Sequence, residues 1–225
     1  MLNPIILCCL ATLAAAAPLT GSCNDYALLD ARGTFEPQGP SAGFNIMVAS
    51  TLSALPGGVE YDVVYPASPD ISQNSTFIGS EDIQNYINNG YAACPDQKYA
   101  LLGYSQGATV VLEALQALSG SKPGQQIKAV LLIGNPYQVS GQATTVDENN
   151  GNITRGFDGA LLPLAGSLSL DPKLPQDGTA LNICYIGDPV CTGLAFAVTS
   201  GLHLAYPLDA AVQQLGAKHL LARLS

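Results

Sequence analysis

Residues Lys98 to Leu118 read KYALLGYSQGATVVLEALQAL. The run Tyr99–Leu102 is continuously apolar, which is typical of a strand buried on both faces in a parallel sheet. After Gly107 the apolar residues recur at helical spacing, and this pattern predicts a helix. Residues 103–107 between them, GYSQG, have the form GxSxG. The stretch therefore predicts a strand, a sharp turn and a helix, with Ser105 at the turn.

The two glycines of this motif have a mechanical reason. A serine in a strained turn needs small flanking residues so that the strand and the helix can approach closely. Its hydroxyl then projects from the carboxyl end of the sheet, beside the positive end of the new helix. In a chain with 23 glycines a GxSxG sequence also arises by chance. The order of strand, motif and helix is what favours Ser105 as a nucleophile.

Strands and helices alternate along the rest of the chain. The other predicted strands are Tyr26–Leu29, Val59–Tyr65, Ile127–Ile133 and Leu181–Gly187. Helices are predicted for Gly43–Leu55, from Ser80 as a cap, and for Leu208–Leu224, whereas Tyr137–Gly178 is predicted to be mostly loop. This alternation predicts an α/β fold, a three-layer α/β/α sandwich on a central parallel sheet of about five strands.

Length and composition indicate one exported domain. A chain of 225 residues can bury a sizeable single core, and only 11% of its residues are charged, with a formal net charge of -9. The few Lys and Arg are scattered, which argues against nucleic acid as a partner. Leu2–Ala17 is apolar and ends in small residues, so we predict a signal peptide at 1–17 and a single domain at 18–225. The alternative, a membrane anchor, is disfavoured because the run is short and contains Pro4. We expect the mature protein to be extracellular, monomeric and without a stable membrane anchor.

Cysteines and glycosylation sequons fit that compartment. Two cysteines leave with the signal and four remain, an even number that predicts disulfides in an exported protein. Three pairings are possible, and we favour Cys23 with Cys94 and Cys184 with Cys191. Asn74 and Asn152 begin NxS/T sequons, and both are expected to lie on the surface if they carry glycans.

A serine nucleophile needs a base, and the chain offers two histidines. His219 lies near the end of the terminal helix, where a solvated or capping histidine is the ordinary case. His203 follows Gly201 in a loop beyond the last predicted strand, from which an imidazole can reach the GxSxG turn. We therefore favour His203 as the base.

The base needs an acid to orient it, placed between the serine and the histidine in chain order. Asp188 follows the strand ending at Gly187 directly and lies between Cys184 and Cys191, so it is the preferred acid. Asp171 and Asp177 also precede the histidine, but both flank prolines or turns and are typical turn residues. Glu113 lies on the helix that follows the nucleophile and is expected to point elsewhere.

An oxyanion requires hydrogen-bond donors. One should be the backbone N–H of Gln106, the residue after the nucleophile. Thr34 is the second candidate because its loop leaves the first strand at the same end of the sheet and offers an N–H and a hydroxyl; the alternative is a threonine that only satisfies a turn. Arg32 and Glu36 in that loop are expected to form an ion pair that fixes it, rather than to bind substrate.

Several segments taken together resemble a known family. They are DARGT at 30–34, EPQG at 36–39, SAGF at 41–44, GYSQG at 103–107, IGNP at 133–136, CYIGDPVC at 184–191 and HLAY at 203–206. They are similar to fungal cutinases, in the cutinase and acetylxylan esterase family, and in particular to the cutinase-like polyesterases of yeasts. The resemblance covers most of the mature chain, but residues 147–177 match none of these motifs.

The resemblance implies a small lidless α/β-hydrolase that is a serine esterase. Its triad would be Ser105, Asp188 and His203, its oxyanion donors would be Thr34 and Gln106, and its disulfides would be the two favoured above. Thr34 stands where many plant-pathogen cutinases have serine, which keeps the hydroxyl.

The expected activity is hydrolysis of carboxylic esters in cutin, aliphatic polyesters and short-chain acyl esters. The partners are then a hydrophobic ester polymer or a small acyl ester, and no metal or cofactor is implied because the chain offers no clustered ligand motif. Apolar residues near the histidine, namely Leu194, Phe196, Val198, Leu202 and Leu204, together with Ala160–Leu168, are expected to favour polyesters. Two alternatives remain open: an acetylxylan esterase, and a non-catalytic secreted protein that binds wall or cuticle material.

Overall fold

The computed structural model describes residues 23–69, 72, 74–164, 168–171, 177–194 and 200–225. The predicted signal peptide at 1–17 lies outside these described residues. Within them, no helix is both long enough and apolar enough to cross a membrane.

A single parallel sheet forms the centre of the molecule. Its strands, in spatial order, are β2, β1, β3, β4, β6 and β5, and each neighbouring pair is parallel. The bounds are β1 Tyr26–Ala31, β2 Gly58–Asp62, β3 Lys98–Tyr104, β4 Ile127–Ile133, β5 Thr145–Val146 and β6 Ala180–Ile183. The predicted parallel α/β sheet is confirmed, with six strands in place of about five. The additional strand β5 has two residues within the segment predicted to be mostly loop, and a strand that short carries no readable periodicity.

Helices cover both faces of this sheet, as the three-layer prediction requires. Side chains of α2 and α3 share one buried cluster with β1, β3 and β4, and side chains of α1 and α6 share a second cluster on the opposite face. The helices are α1 Asn45–Ala54, α2 Asn74–Ala93, α3 Gln106–Leu118, α4 Pro189–Thr192, α5 Ser200–His203 and α6 Ala210–Leu224.

The prediction that the second helix begins at Ser80 was wrong, because α2 begins at Asn74. Ser80 is buried inside the helix, where its hydroxyl accepts a hydrogen bond from Gln84 Nε2 at 3.1 Å. The preceding turn is helical because it packs on α3: the Thr76 hydroxyl donates to Glu113 Oε1 at 3.0 Å. These tertiary contacts outweigh the local preference of serine for a cap.

Two disulfides link parts of the described chain. Cys23 is joined to Cys94, which attaches the segment before β1 to the end of α2. Cys184 is joined to Cys191, which closes the loop from β6 to α4 with Cα atoms 5.8 Å apart. The second bridge therefore encloses Asp188.

Candidate active site

Ser105 lies in the turn between β3 and α3 with strained backbone angles, φ 54° and ψ -115°. The turn is possible because glycines flank it. A Cβ atom on Gly107 would lie 1.8 Å from the carbonyl oxygen of Ala31, and one on Gly103 would lie 2.6 Å from the carbonyl oxygen of Gly107. The close approach brings the start of α3 against the end of β1, and leaves Ser105 partly exposed.

A chain of hydrogen bonds links the serine to a histidine and an aspartate. Ser105 Oγ and His203 Nε2 are 2.8 Å apart, and His203 Nδ1 and Asp188 Oδ2 are 2.9 Å apart. A carboxylate can only accept, so Nδ1 carries a proton and the neutral ring uses Nε2 to accept from the serine hydroxyl. In this state the imidazole is ready to take the hydroxyl proton.

Asp188 is held rigidly at the start of α4. Its side chain is fully buried and caps that helix by accepting from the Val190 N–H at 2.8 Å. The hydroxyl of Thr192 donates to the backbone carbonyl of Asp188 at 2.5 Å. Because Cys191 in the same turn is disulfide-bonded, the carboxylate has little freedom to leave the imidazole.

His203 is positioned by the ends of β3 and β4, which are distant from it in sequence. The Tyr104 hydroxyl donates to the His203 carbonyl at 2.6 Å. Gly134, with φ 58°, leaves room for the ring, since a Cβ atom there would lie 2.7 Å from His203 Cε1. Both residues lie within the motifs GYSQG and IGNP, and neither motif by itself indicates a role in placing a histidine.

Tyr206 is a further residue of this site that sequence reasoning missed. Its hydroxyl is fully buried, donates to Asp188 Oδ2 at 2.6 Å and accepts from the Tyr185 N–H at 3.0 Å. Burial, followed by the nearby Asp188 carboxylate, raises the pKa of Tyr206 well above its ordinary value, so the phenol remains a donor. The HLAY segment at 203–206 contains this residue, but no pattern in the sequence gives it a role.

Removing the Tyr206 hydroxyl should impair the site without unfolding it. In Tyr206→Phe the ring still fills its space, but Asp188 loses one donor and the Tyr185 N–H loses its acceptor. We expect a stability loss of about 1 to 3 kcal/mol and an approximately 10-fold lower kcat with KM unchanged, because Tyr206 is buried behind the aspartate. Ester hydrolysis kinetics and urea unfolding measure the two effects.

Tyr185→Phe is the matched control for that variant. It also removes one phenol hydroxyl, which bonds to Asp209 and not to Asp188. Its kcat should stay within about 2-fold of the wild type, because the lost hydroxyl bonds to Asp209 and the ring that packs on the core is kept. A Tyr206→Phe protein that loses stability but keeps full kcat would show that the hydroxyl has only a structural role.

The alternative base and acids lie elsewhere in the fold. His219 is half-buried on α6 near the backbone of Val130 and Thr179, and burial lowers its pKa to about 4. Asp177 accepts from the Thr179 N–H at 2.8 Å, at the start of β6, whereas Asp188 follows the end of that strand. Asp171 borders a hollow at the same far edge of the sheet. The structure does not bring any of these three to Ser105.

Thr34 and Gln106, the predicted oxyanion donors, both lie near Ser105, and their role stays a prediction. Both border a cavity of about 640 Å³ that also contains Ser105. Gln106 is the first residue of α3, and the helix itself provides no acceptor for an N–H at that position. Its side chain is directed away, donating to the Ser68 carbonyl at 2.7 Å.

The prediction of an ion pair between Arg32 and Glu36 was wrong, because each of the two side chains bonds to other groups. Arg32 is buried and its Nε donates to the backbone carbonyl of Glu36 at 2.9 Å, while its other nitrogens reach the carbonyls of Val63 and Tyr65. The Glu36 carboxylate instead accepts from the Ala42 N–H at 2.8 Å and from other groups of its own loop. The loop that carries Thr34 is therefore fixed by backbone groups, which side-chain charge patterns in a sequence do not reveal.

The family model for cutinase matches residues 22–223. This chain belongs to the cutinase family. Its Ser105, His203 and Asp188 thus lie in a fold whose members hydrolyse carboxylic esters, and the chain is a carboxylic ester hydrolase.

Individual relatives agree with this assignment. A cutinase-like protein from Cryptococcus sp. has 40% sequence identity and a TM-score of 0.81, with 90% of this chain and 96% of that chain covered. The carboxylesterase Culp1 of Mycobacterium tuberculosis is 32% identical over 76% of this chain and 70% of its own length. The catalytic core of acetyl xylan esterase from Trichoderma reesei, at 22% identity and a TM-score of 0.70 over 90% of this chain and all of that chain, shares the fold.

In this cutinase-family enzyme the cavity beside the serine is mostly apolar. Its walls include Tyr137, Ala160, Leu161, Leu164 and Val190. Of the predicted rim at 160–168, Ala160, Leu161 and Leu164 border the cavity, whereas Leu168 is buried in the core. Phe196 and Val198, which were predicted to contribute, lie outside the described residues.

Glu113 on α3 is linked to this cavity through Thr76, which lines the cavity and donates to Glu113 Oε1. It is half-buried on α3, and burial raises its pKa to about 7 although the hydrogen bond from Thr76 acts in the opposite direction. Its Oε2 atom has no hydrogen-bond partner among the described residues. The charged form of Glu113 is therefore costly in the folded protein.

This raised pKa predicts a pH-dependent stability. An acid with a higher pKa folded than unfolded binds its proton more tightly in the folded state, so its destabilising effect is absent below about 4.5 and complete above about 7. Between those values wild type should lose about 1 to 2 kcal/mol relative to Glu113→Gln, since partial exposure screens the effect. Urea unfolding from pH 4 to pH 8 measures it, with Glu81→Gln, an exposed carboxylate on α2, as control. Parallel profiles for wild type and Glu113→Gln would contradict the prediction.

Proposed function

We propose that this protein is a secreted serine esterase that hydrolyses carboxylic ester bonds of cutin, aliphatic polyesters and short-chain acyl esters. The single observation that carries the proposal is the hydrogen-bond chain from Ser105 through His203 to a fully buried Asp188. Ser105, at one end of these hydrogen bonds, borders an apolar cavity, and such a cavity suits an acyl group better than a sugar.

In the proposed mechanism Ser105 Oγ attacks the ester carbonyl carbon while His203 Nε2 takes the hydroxyl proton. Asp188 stabilises the resulting imidazolium and keeps the ring oriented. The carbonyl oxygen becomes an oxyanion that accepts from the Gln106 N–H and from Thr34. Collapse of this intermediate breaks the bond to the alcohol, which leaves with the proton from His203. Water then attacks the acyl-enzyme by the same route, releasing the acid and restoring Ser105.

Exposed apolar side chains around the cleft support a polymer as substrate. Phe35 is 80% exposed next to Thr34, and Leu204 is 62% exposed next to His203. Leu164 is 69% exposed at the rim of the cavity itself. Exposed apolar groups at Leu164 and next to two residues of the site suit docking on a hydrophobic ester surface.

Secretion belongs to the same proposal. The signal peptide at 1–17, the domain at 18–225 and a monomeric mature protein are parts of it, and two disulfides are typical of an oxidising compartment. Both sequon residues are exposed: Asn74 is at the first position of α2 and Asn152 precedes a short 3-10 helix. Glycans on these two residues are therefore sterically possible.

A substrate panel tests the proposal. Purified protein is given tributyrin, an aliphatic polyester film and acetylated xylan, and acid release is titrated beside a Ser105→Ala background. We expect release from tributyrin and from the film that the background lacks. Release from acetylated xylan alone would replace the proposed substrate class with an acetylated polysaccharide. No release from any ester, with no labelling of Ser105 by an organophosphate, would instead favour a non-catalytic binding protein.

A further inference from the structure

Three carboxylates meet on the opposite side of the first strand from α3. Asp30 on β1 pairs in register with Asp62 on β2, and Leu28 pairs with Glu60. The side chains of Asp30, Glu60 and Asp62 therefore share one face of the sheet. One oxygen from each lies within 4.8 Å of an oxygen from each of the others.

Neighbouring charge neutralises this cluster only in part: burial raises the pKa of Asp62, and the nearby Arg32 charge lowers it without restoring its ordinary value. Asp30 is only 1% exposed, and while its Oδ2 accepts from the Ser41 N–H at 2.8 Å, its Oδ1 is buried without a hydrogen-bond partner among the described residues. Asp62 Oδ1 is likewise buried and unpartnered within that part of the chain. The nearby guanidinium of Arg32 donates to backbone carbonyls and forms no ion pair with these carboxylates in the described structure.

Buried carboxylate oxygens without donors are costly unless a cation or a proton is shared between them. Burial, followed by the Asp62 charge, raises the pKa of Glu60, and burial is also the first cause of the raised pKa of Asp30. A bound divalent cation would remove both the repulsion and the missing contacts.

We propose that Asp30, Glu60 and Asp62 form a calcium-binding site. Oxygen ligands bind Ca²⁺ at about 2.3 to 2.6 Å, so two ligands of one ion can be up to about 4.8 Å apart. The three oxygens meet this limit as they stand. Mg²⁺ demands near-ideal octahedral geometry at about 2.0 to 2.1 Å and gives up its water reluctantly, so a site of three protein carboxylates favours Ca²⁺. Glu60 and Asp62 are half-buried on the edge strand, so water can complete the coordination.

The site would stabilise the edge of the sheet next to the catalytic cleft. Asp30 lies two residues before Arg32 and fixes Ser41 at the other end of the loop that carries Thr34. A cation at Asp30 therefore joins β1, β2 and that loop. This inference does not depend on the proposed ester hydrolysis, because it concerns binding and stability.

Calorimetry with the mature protein tests the proposal directly. After treatment with a chelator, CaCl₂ is titrated at pH 7.5 and constant ionic strength, with MgCl₂ as a second arm. We expect one Ca²⁺ per chain, weaker binding of Mg²⁺, and a Tm rise of about 3 to 6 °C at ten times the Kd. Glu60→Gln and Asp62→Asn should each weaken Ca²⁺ binding by about 10-fold or more. The matched control Glu81→Gln, an exposed carboxylate on α2, should bind like wild type.

Three results would overturn the site. One is the absence of binding heat and of any Tm change in the wild type. Another is the same Ca²⁺ response in Glu60→Gln, Asp62→Asn and Glu81→Gln, which would mean diffuse binding to an acidic protein. The last is an Asp62→Asn protein that is more stable than wild type with both insensitive to Ca²⁺, which would show that the carboxylates share a proton instead.

Discussion

Ser105→Ala should lower kcat for ester hydrolysis by about 10⁵-fold or more while the protein stays folded. Without the hydroxyl no acyl-enzyme can form, and His203 and Asp188 then have no nucleophile to activate. Alanine occupies the same strained backbone position, so the turn between β3 and α3 is retained. The remaining rate would reflect water attacking a substrate held by the oxyanion donors.

Two measurements separate loss of chemistry from loss of fold. Hydrolysis of tributyrin gives the rate, and thermal unfolding should show a Tm within a few degrees of wild type. Ser119→Ala changes an exposed serine at the other end of α3 and should keep full activity. Residual activity of Ser105→Ala above about 10% of wild type would exclude this serine as the nucleophile.

Gly107→Ala should destabilise the protein by more than about 4 kcal/mol or prevent folding. The added Cβ would lie 1.8 Å from the carbonyl oxygen of Ala31 and would approach that of Arg32 at 2.8 Å. Both contacts are with backbone, at the last residue of β1 and at the residue that follows it, and backbone cannot rotate away as a side chain can. Relief requires α3 to move from β1, which also separates Ser105 from the loop of Thr34.

The same substitution in open space is the control. Gly156 is exposed, and a Cβ atom there would have no atom within 4 Å. Gly156→Ala should therefore change the free energy of unfolding by less than about 0.5 kcal/mol. Urea unfolding compares the two variants, and a Gly107→Ala protein with wild-type stability would contradict the packing argument.

Secondary structure was predictable where a segment is long and its pattern is strong. The strand and helix around Ser105 combine a fully buried strand with helical spacing over thirteen residues of α3. Ser80 shows the opposite case: its cap signal is good, but Thr76 and its neighbours extend α2 by packing on α3. A local preference worth about 1 kcal/mol yields to packing of that extent.

The polar residues of the cleft also fall into two groups, those whose role could be predicted from the sequence and those whose role could not. Asp188 and His203 could be proposed because chain order and a cysteine-bracketed loop restrict where an acid and a base can lie. Tyr206 and Gly134 could not be assigned, because their roles exist only as distances to those residues. The contacts of Arg32 were predicted wrongly. Its hydrogen-bond acceptors are backbone carbonyls, which a pattern of charged residues does not reveal.

The sequence alone determined the α/β class and the turn at Ser105. Both can be predicted from periodicity and glycine spacing, which are patterns over a few residues. Residues 30, 60 and 62 become neighbours only when β1 and β2 pair in their particular register. Likewise, Ser105 and His203 are 98 positions apart, and their 2.8 Å contact exists because the sheet ends meet at one edge. Register and loop closure depend on the free energy of the whole packed core, so only the folded chain decides them.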